Sequence, residues 1–216
     1  MKPRIILYAY LLACIANIIG NYLGNFDVVY FSKPLLMPLL LFYVYRASEG
    51  TITINRLLLA GALMFSWAGD LALMYEGYFL VGVGFFFVAQ VVYIIVFAKS
   101  TYQKITLQFR PLLPLALYGI GFFYVLLPQT EELFIPVLIY GLSLITMAGF
   151  ARLRQGLTAN RSFNFVAIGG AAFLISDSLI ALNKFVDEIP FSGVWVMVTY
   201  CLAQYLIVVG ILEHPE

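Results

Sequence analysis

The chain is predicted to be an all-α membrane protein with eight transmembrane helices in a single polytopic domain, residues 1–216. Three observations carry that prediction. The composition is 63% hydrophobic and only 11% charged, whereas ordinary soluble domains carry about 25% charged residues. Apolar runs close to the roughly 20 residues needed to span a bilayer recur along the whole chain. The gaps between them are short and rich in turn residues, such as Gly20-Asn21, Ser48-Glu49-Gly50 and Glu188-Ile189-Pro190.

The spans are placed at 5–20, 28–45, 54–74, 78–98, 112–128, 132–150, 163–184 and 193–212. The first follows Lys2 and Arg4, a start that a cleaved signal peptide would share. The hydropathy pattern closes better if it stays as a helix. The second follows Asp27 and contains Lys33-Pro34. The third opens near Arg56 and runs into Ser66-Trp67-Ala68-Gly69-Asp70, which places a carboxylate inside an apolar segment. The fourth holds Ala89-Gln90 and ends before Lys99. The fifth follows Arg110, and the sixth starts at Glu132 and ends before Arg152 and Arg154. The seventh contains a second intramembrane acid, Ser176-Asp177-Ser178, and closes on Asn183-Lys184. The eighth carries Thr199-Tyr200 and Ala203-Gln204.

Basic residues set the orientation. Lys2, Arg4, Arg46, Arg56, Lys99, Lys104, Arg110, Arg152, Arg154 and Arg161 fall on one side of an eight-span arrangement. The other side holds Asp27, Glu76, Glu131, Glu132, Asp187 and Glu188, with Lys184 the one basic residue near them. The positive-inside rule then puts both termini in the cytoplasm, and a bacterial inner membrane is the expected location. Asp70 and Asp177 sit about 10 Å below the outer ends of helices 3 and 7 at 1.5 Å per residue. Lys33, Asn17, Asn21, Thr199 and Tyr200 reach a similar level. Polar groups from five helices at one depth call for a polar cavity open towards the outer leaflet.

A short repeat, Ala89-Gln90 in helix 4 and Ala203-Gln204 in helix 8, is compatible with two parallel four-helix halves. Such halves commonly place a site between them.

Several chemistries are excluded. Cys14 and Cys201 lie in apolar runs and form neither a disulfide framework nor a zinc site. His214 is the only histidine, which argues against a histidine-based metal site. No glycine-rich phosphate loop, nucleophile elbow or basic nucleic-acid patch is present. What remains is the acid pair. An ionisable group in hydrocarbon costs at least about 2.5–3.5 kcal/mol on insertion scales and so marks a site by default. Two carboxylates in a low-dielectric setting cannot easily both ionise, so one keeps its proton and the pair offers an acid and a base. The plainer alternative is that each Asp only fixes helix packing. Likewise, Lys33 could snorkel instead of binding an anion. Ser66, Ser176 and Ser178 read as backbone hydrogen-bonding residues, Gln90 and Gln204 as interhelical glue, and Gly77, Gly82, Gly84, Gly169 and Gly170 as points of close helix approach.

Together these motifs resemble a known family. Lys33-Pro34-Leu35, Gly69-Asp70, Gly84-Phe85-Phe86-Phe87 leading to Tyr93, Ser176-Asp177 with Ala181-Leu182-Asn183-Lys184-Phe185, and Thr199-Tyr200 with Ala203-Gln204 are similar, in this order, to the YhhN-like lysoplasmalogenases. The resemblance implies a membrane hydrolase that splits the vinyl ether bond of a lysoplasmalogen into a fatty aldehyde and a glycerophospho-base. That chemistry needs a proton donor, a negative charge and a base, which the pair Asp70 and Asp177 can supply as catalytic residues in either assignment, without metal or organic cofactor. Lys33, Asn17, Asn21, Asn183, Tyr200 and Gln204 would contact the lysophospholipid, and membrane lipids would be the other partners, with no nucleic acid. Gln90 departs from the histidine that many members carry. Two other classes use the same acids: a proton-coupled lipid or small-molecule transporter, and a lipid-binding scaffold without catalysis.

Overall fold

A chain this apolar can satisfy its backbone in hydrocarbon only by internal hydrogen bonding, and it does so with helices. The computed structural model describes residues 3–47 and 53–213, so Lys2, the Ser48-Glu49-Gly50 connection and His214 lie outside the described residues. Among the described residues there are eight α-helices and no strand. They are α1 (Pro3–Leu23), α2 (Phe26–Ala47), α3 (Ile54–Ala72), α4 (Phe79–Lys99), α5 (Phe109–Leu126), α6 (Phe134–Leu153), α7 (Asn160–Phe185) and α8 (Ser192–Leu212). Two short 3-10 turns, Leu127–Gln129 and Glu131–Leu133, join α5 to α6.

Seven of these helices are long and apolar enough to cross a membrane. The exception is α3, whose 19 residues include Asn55, Arg56 and Asp70. α7 starts at Asn160, three residues before the predicted 163, because its first turn is tied down. There Ser162 donates to the Gly210 carbonyl at 2.6 Å and Arg161 pairs with Glu213 at 2.9 Å. α3 stops at Ala72, and tight turns through Tyr75 lead to Gly77, whose φ of +83° only glycine adopts without strain. Gly77 is therefore a turn residue and not the helix-approach point expected of it.

Three antiparallel neighbour pairs form the main contacts, α1 with α2, α3 with α4, and α7 with α8, while α6 packs chiefly on α4 and α7. α7 and α8 are the most enclosed spans, while α5 lies at the periphery. In lipid, helix association depends on close packing and interhelical hydrogen bonds. Both devices are present. A Cβ at Gly169 would stand 2.8 Å from Ile207 Cγ1 and 3.1 Å from the Ala203 carbonyl oxygen, and one at Gly82 would meet Leu73 at 2.6 Å. Gly170 packs on Ala151, but Gly84 faces open space. Gly169→Ala is therefore expected to destabilise the protein by about 1–3 kcal/mol through overpacking against fixed backbone. Gly84→Ala should be neutral or stabilising by up to about 1 kcal/mol, from helix propensity. Thermal unfolding of the two variants in detergent checks both.

α2 shows the second device. Pro38 has no N–H for the carbonyl of Pro34, four residues earlier, and a prolyl interruption inside hydrocarbon must be compensated. Trp67 Nε1 of α3 donates to that carbonyl at 2.9 Å. The interruption that would weaken α2 thus fastens it to α3, three residues before Asp70. At the opposite end of the bundle Arg154, one of the basic residues that set the predicted orientation, is fully buried. Its Nη2 donates to the Ser100 carbonyl and to Ser162 Oγ, each at 3.0 Å, so one guanidinium joins the ends of α4, α6 and α7.

Candidate active site

The interior between α3, α4, α7 and α8 is built on rings. Phe86, Phe173 and Tyr200 meet edge to face with centroids 5.8–6.3 Å apart, and Tyr93 extends the cluster from Phe173 towards Phe97. The two carboxylates sit against this cluster, 3% and 7% exposed for Asp70 and Asp177. Burial this deep requires partners, and the partners differ.

Asp70 of α3 accepts a 2.6 Å hydrogen bond at Oδ2 from the Tyr200 hydroxyl of α8. Its Oδ1 lies 3.9 Å from Lys33 Nζ of α2, an ion pair held in a largely buried setting. Asp177 of α7 accepts at Oδ2 from Tyr140 of α6 through a short hydrogen bond and from Gln90 Nε2 of α4 at 3.5 Å. Ser143, also on α6, donates to Gln90 Oε1, so that amide is held with its N–H₂ towards Asp177. Asp177 Oδ1 has no hydrogen-bond partner among the described residues. One acid is therefore paired with a cation, whereas the hydrogen-bond donors to the other are both neutral.

The contacts follow a rule. Asp70 on the third helix is held by the second and the eighth, and Asp177 on the seventh by the sixth and the fourth. Advancing every helix by four converts the first set into the second. Tyr140, six residues into α6, thus occupies the counterpart of Lys33, seven residues into α2. Sequence reading passed over Tyr140 as one of 15 tyrosines. The depth argument that selected Lys33 on helix 2 selects it once applied to helix 6.

Two adjoining cavities open beside the acids. The smaller, about 40 Å³, is lined by Asp177 and Tyr140 together with apolar side chains including Val83, Phe86 and Ile180. That is room for one or two waters. The larger, about 300 Å³, is lined by Lys33, Asn21, Asn183, Lys184, Ser192 and Gly193 with apolar neighbours. Leu73, Phe79 and Ile180 line both and form the partition between them.

The eight sequence-selected site residues are thus distributed over three places. Asp177 faces the small cavity, and Lys33, Asn21 and Asn183 line the large one. Asp70, Tyr200, Gln204 and Asn17 line neither and form buried supports. Tyr93 donates to Gln204 Oε1 at 2.5 Å. Asn17 donates to Ser32 Oγ at 2.9 Å and accepts from Asn21. Asn183 Oδ1 is engaged by the Ile189 N–H at 2.8 Å, fixing the turn after α7. No group of three or more His, Cys, Asp or Glu residues able to hold a metal occurs among the described residues.

A multi-pass helical membrane protein with two buried carboxylates beside a cationic cavity is the class that fold and site define. The YhhN family model matches residues 28–211, and the chain belongs to that family. The rat lysoplasmalogenase TMEM86B is 34% identical over 180 residues, covering 83% of this chain and 71% of the rat protein. Mouse lysoplasmalogenase TMEM86B is 32% identical over 158 residues, 73% of this chain and 65% of its own length. Human lysoplasmalogenase TMEM86A is 33% identical over 162 residues, 71% and 65% respectively. The chain thus spans about two thirds of the mouse and human relatives it matches. No solved structure matches it.

Proposed function

We propose that this protein is a lysoplasmalogenase: an integral-membrane hydrolase that cleaves the vinyl ether bond of a lysophospholipid to a fatty aldehyde and a glycerophospho-base. In this reading all eight helices span, α3 included because its polar residues face protein, and both termini are cytoplasmic. The observation that carries the chemistry is Asp177, whose unpartnered Oδ1 belongs to a buried carboxyl group lining a chamber of water size, next to a cavity holding Lys33. The names of the relatives support the substrate class.

The reaction requires protonation of the outer vinyl carbon, stabilisation of the resulting oxocarbenium ion, and a base for the attacking water. Asp177, surrounded by neutral donors, is the proton donor. Transfer of its proton to carbon forms the C–H bond and leaves a carboxylate. Water then adds to the oxocarbenium carbon and returns a proton to Asp177. The hemiacetal collapses to aldehyde and the glycerol hydroxyl. Asp70, paired with Lys33, supplies negative charge near the developing cation, and Lys33 faces the substrate phosphate from the large cavity. Asn21 and Asn183 complete the polar wall. Gln90 orients Asp177 by its hydrogen bond and needs no proton of its own.

The test is aldehyde release from 1-alkenyl-glycerophosphoethanolamine by the purified protein in D₂O. The expected product carries one deuterium at the carbon next to the aldehyde, the mark of carbon protonation. The saturated 1-alkyl analogue should yield no aldehyde. Absence of aldehyde from well-folded wild-type protein overturns the assignment.

A further inference from the structure

The outer face of the sequence is acidic apart from Lys184, and the structure shows where that lysine goes. Its side chain lines the large cavity, and its Nζ stands 4.3 Å from the centroid of the Phe79 ring. Phe79 is the first residue of α4, two positions after Gly77 at φ +83°, and its ring lines both cavities. Phe185, which lines the small cavity, meets Phe79 edge-on at 5.9 Å. Phe79 is thus held on one cavity by a cation and on the other by a ring. In this state the chamber at Asp177 has about 40 Å³, too little for a fatty chain. The partition must move before a lipid can reach the acid.

We propose that Lys184 and Phe79 form a phosphate-operated latch: an anionic phosphate bound between Lys33 and Lys184 draws the Lys184 ammonium off the Phe79 face, and Phe79 turns aside to join the two cavities. The proposal rests on the phospholipid-hydrolase reading. It makes Lys184 a substrate-binding residue and Phe79 a positioning residue that selects for phosphate-bearing lipids. A phosphate outcompetes an aromatic face for an ammonium because a full charge exceeds a ring quadrupole. Lys33 already has Asp70, whereas Lys184 makes no ion pair among the described residues, so its charge is available. The latch belongs to the first turn of α4, where Tyr78 makes no side-chain cap.

The experiment compares kcat/KM for 1-alkenyl-glycerophosphoethanolamine with that for phosphate-free 1-alkenylglycerol. Lys184→Met is expected to lower the ratio of the two about tenfold, chiefly through KM for the phospholipid, by loss of one charged contact. Lys184→Arg should restore most of it. Phe79→Ala, with Phe79→Leu as the variant that preserves packing at the start of α4, should raise kcat/KM for 1-alkenylglycerol about five- to tenfold, of the order of one cation–π contact removed. Equal changes for both substrates in the Lys184 and Phe79 variants overturn the latch. Should wild-type protein hydrolyse neither substrate, the hydrolase reading fails by itself. Binding of non-hydrolysable 1-O-alkyl-glycerophosphoethanolamine then decides: about tenfold weaker binding by Lys184→Met upholds phosphate recognition, and equal binding overturns it.

Discussion

Replacing Asp177 by Asn is expected to reduce aldehyde release by about 10²–10⁴-fold, the usual contribution of a positioned acid–base group. The substitution is nearly isosteric. Tyr140 can still donate to the amide oxygen, so the contact between α6 and α7 survives and the protein should remain folded in detergent. What is lost is the transferable proton of a carboxyl group that lines the small cavity. Tyr140→Phe separates chemistry from position, because it removes a hydrogen bond to Oδ2 and leaves the proton-bearing oxygen untouched. A loss of only about tenfold is expected there, near the worth of one ordinary hydrogen bond. Initial rates in proteoliposomes, with gel filtration as the folding control, measure both. More than a tenth of wild-type rate in well-folded Asp177→Asn would remove Asp177 from the chemistry.

Asp70→Asn is expected to cost about 10²–10³-fold, the range for losing a preorganised charge at a developing opposite charge. Its effect should also be entangled with Lys33. The carboxylate and ammonium are 3.9 Å apart in a site with little solvent, and removing one leaves the other uncompensated. The double variant Asp70→Asn/Lys33→Met should therefore lose less than the product of the two single losses, since neighbours in one network are not additive. A strictly multiplicative result would mean that Lys33 and Asp70 act independently and that the ion pair has no part in catalysis. KM distinguishes their roles further. Lys33→Met should raise KM for the phospholipid, whereas Asp70→Asn should act mainly on kcat.

Much of the helical architecture was legible before any coordinates. Spacing of apolar runs marked each helix, because a backbone in hydrocarbon has few alternatives. Asp70 and Asp177 stood out because a carboxylate in an apolar run is costly and therefore rare. Depth, counted in residues from the helix ends, brought Lys33 and Tyr200 to the level of Asp70, and both are its partners in the structure. No such signal marked Arg154, whose position among loop residues gave no sign that its guanidinium would be buried between helix ends. Sequence also offered no way to tell Gly77, Gly82 and Gly84 apart, although one makes a turn, one a close contact and one faces open space.

The sequence by itself determined roughly where each helix lies along the chain and which residues in it carry charge, since these depend on hydropathy and rise per residue alone. Rotation about each helix axis and the choice of neighbours were decided only by tertiary packing. Those choices gave Asp70 a cation and Asp177 a tyrosine, sent Gln90 to Asp177 and kept Gln204 away from both cavities. They also set Phe79 between two chambers with Lys184 on its face. The physical reason is that partnering inside a bundle follows from which small residues let which helices approach, as Gly82 and Gly169 do here. That is a property of pairs of helices, and no single segment contains it.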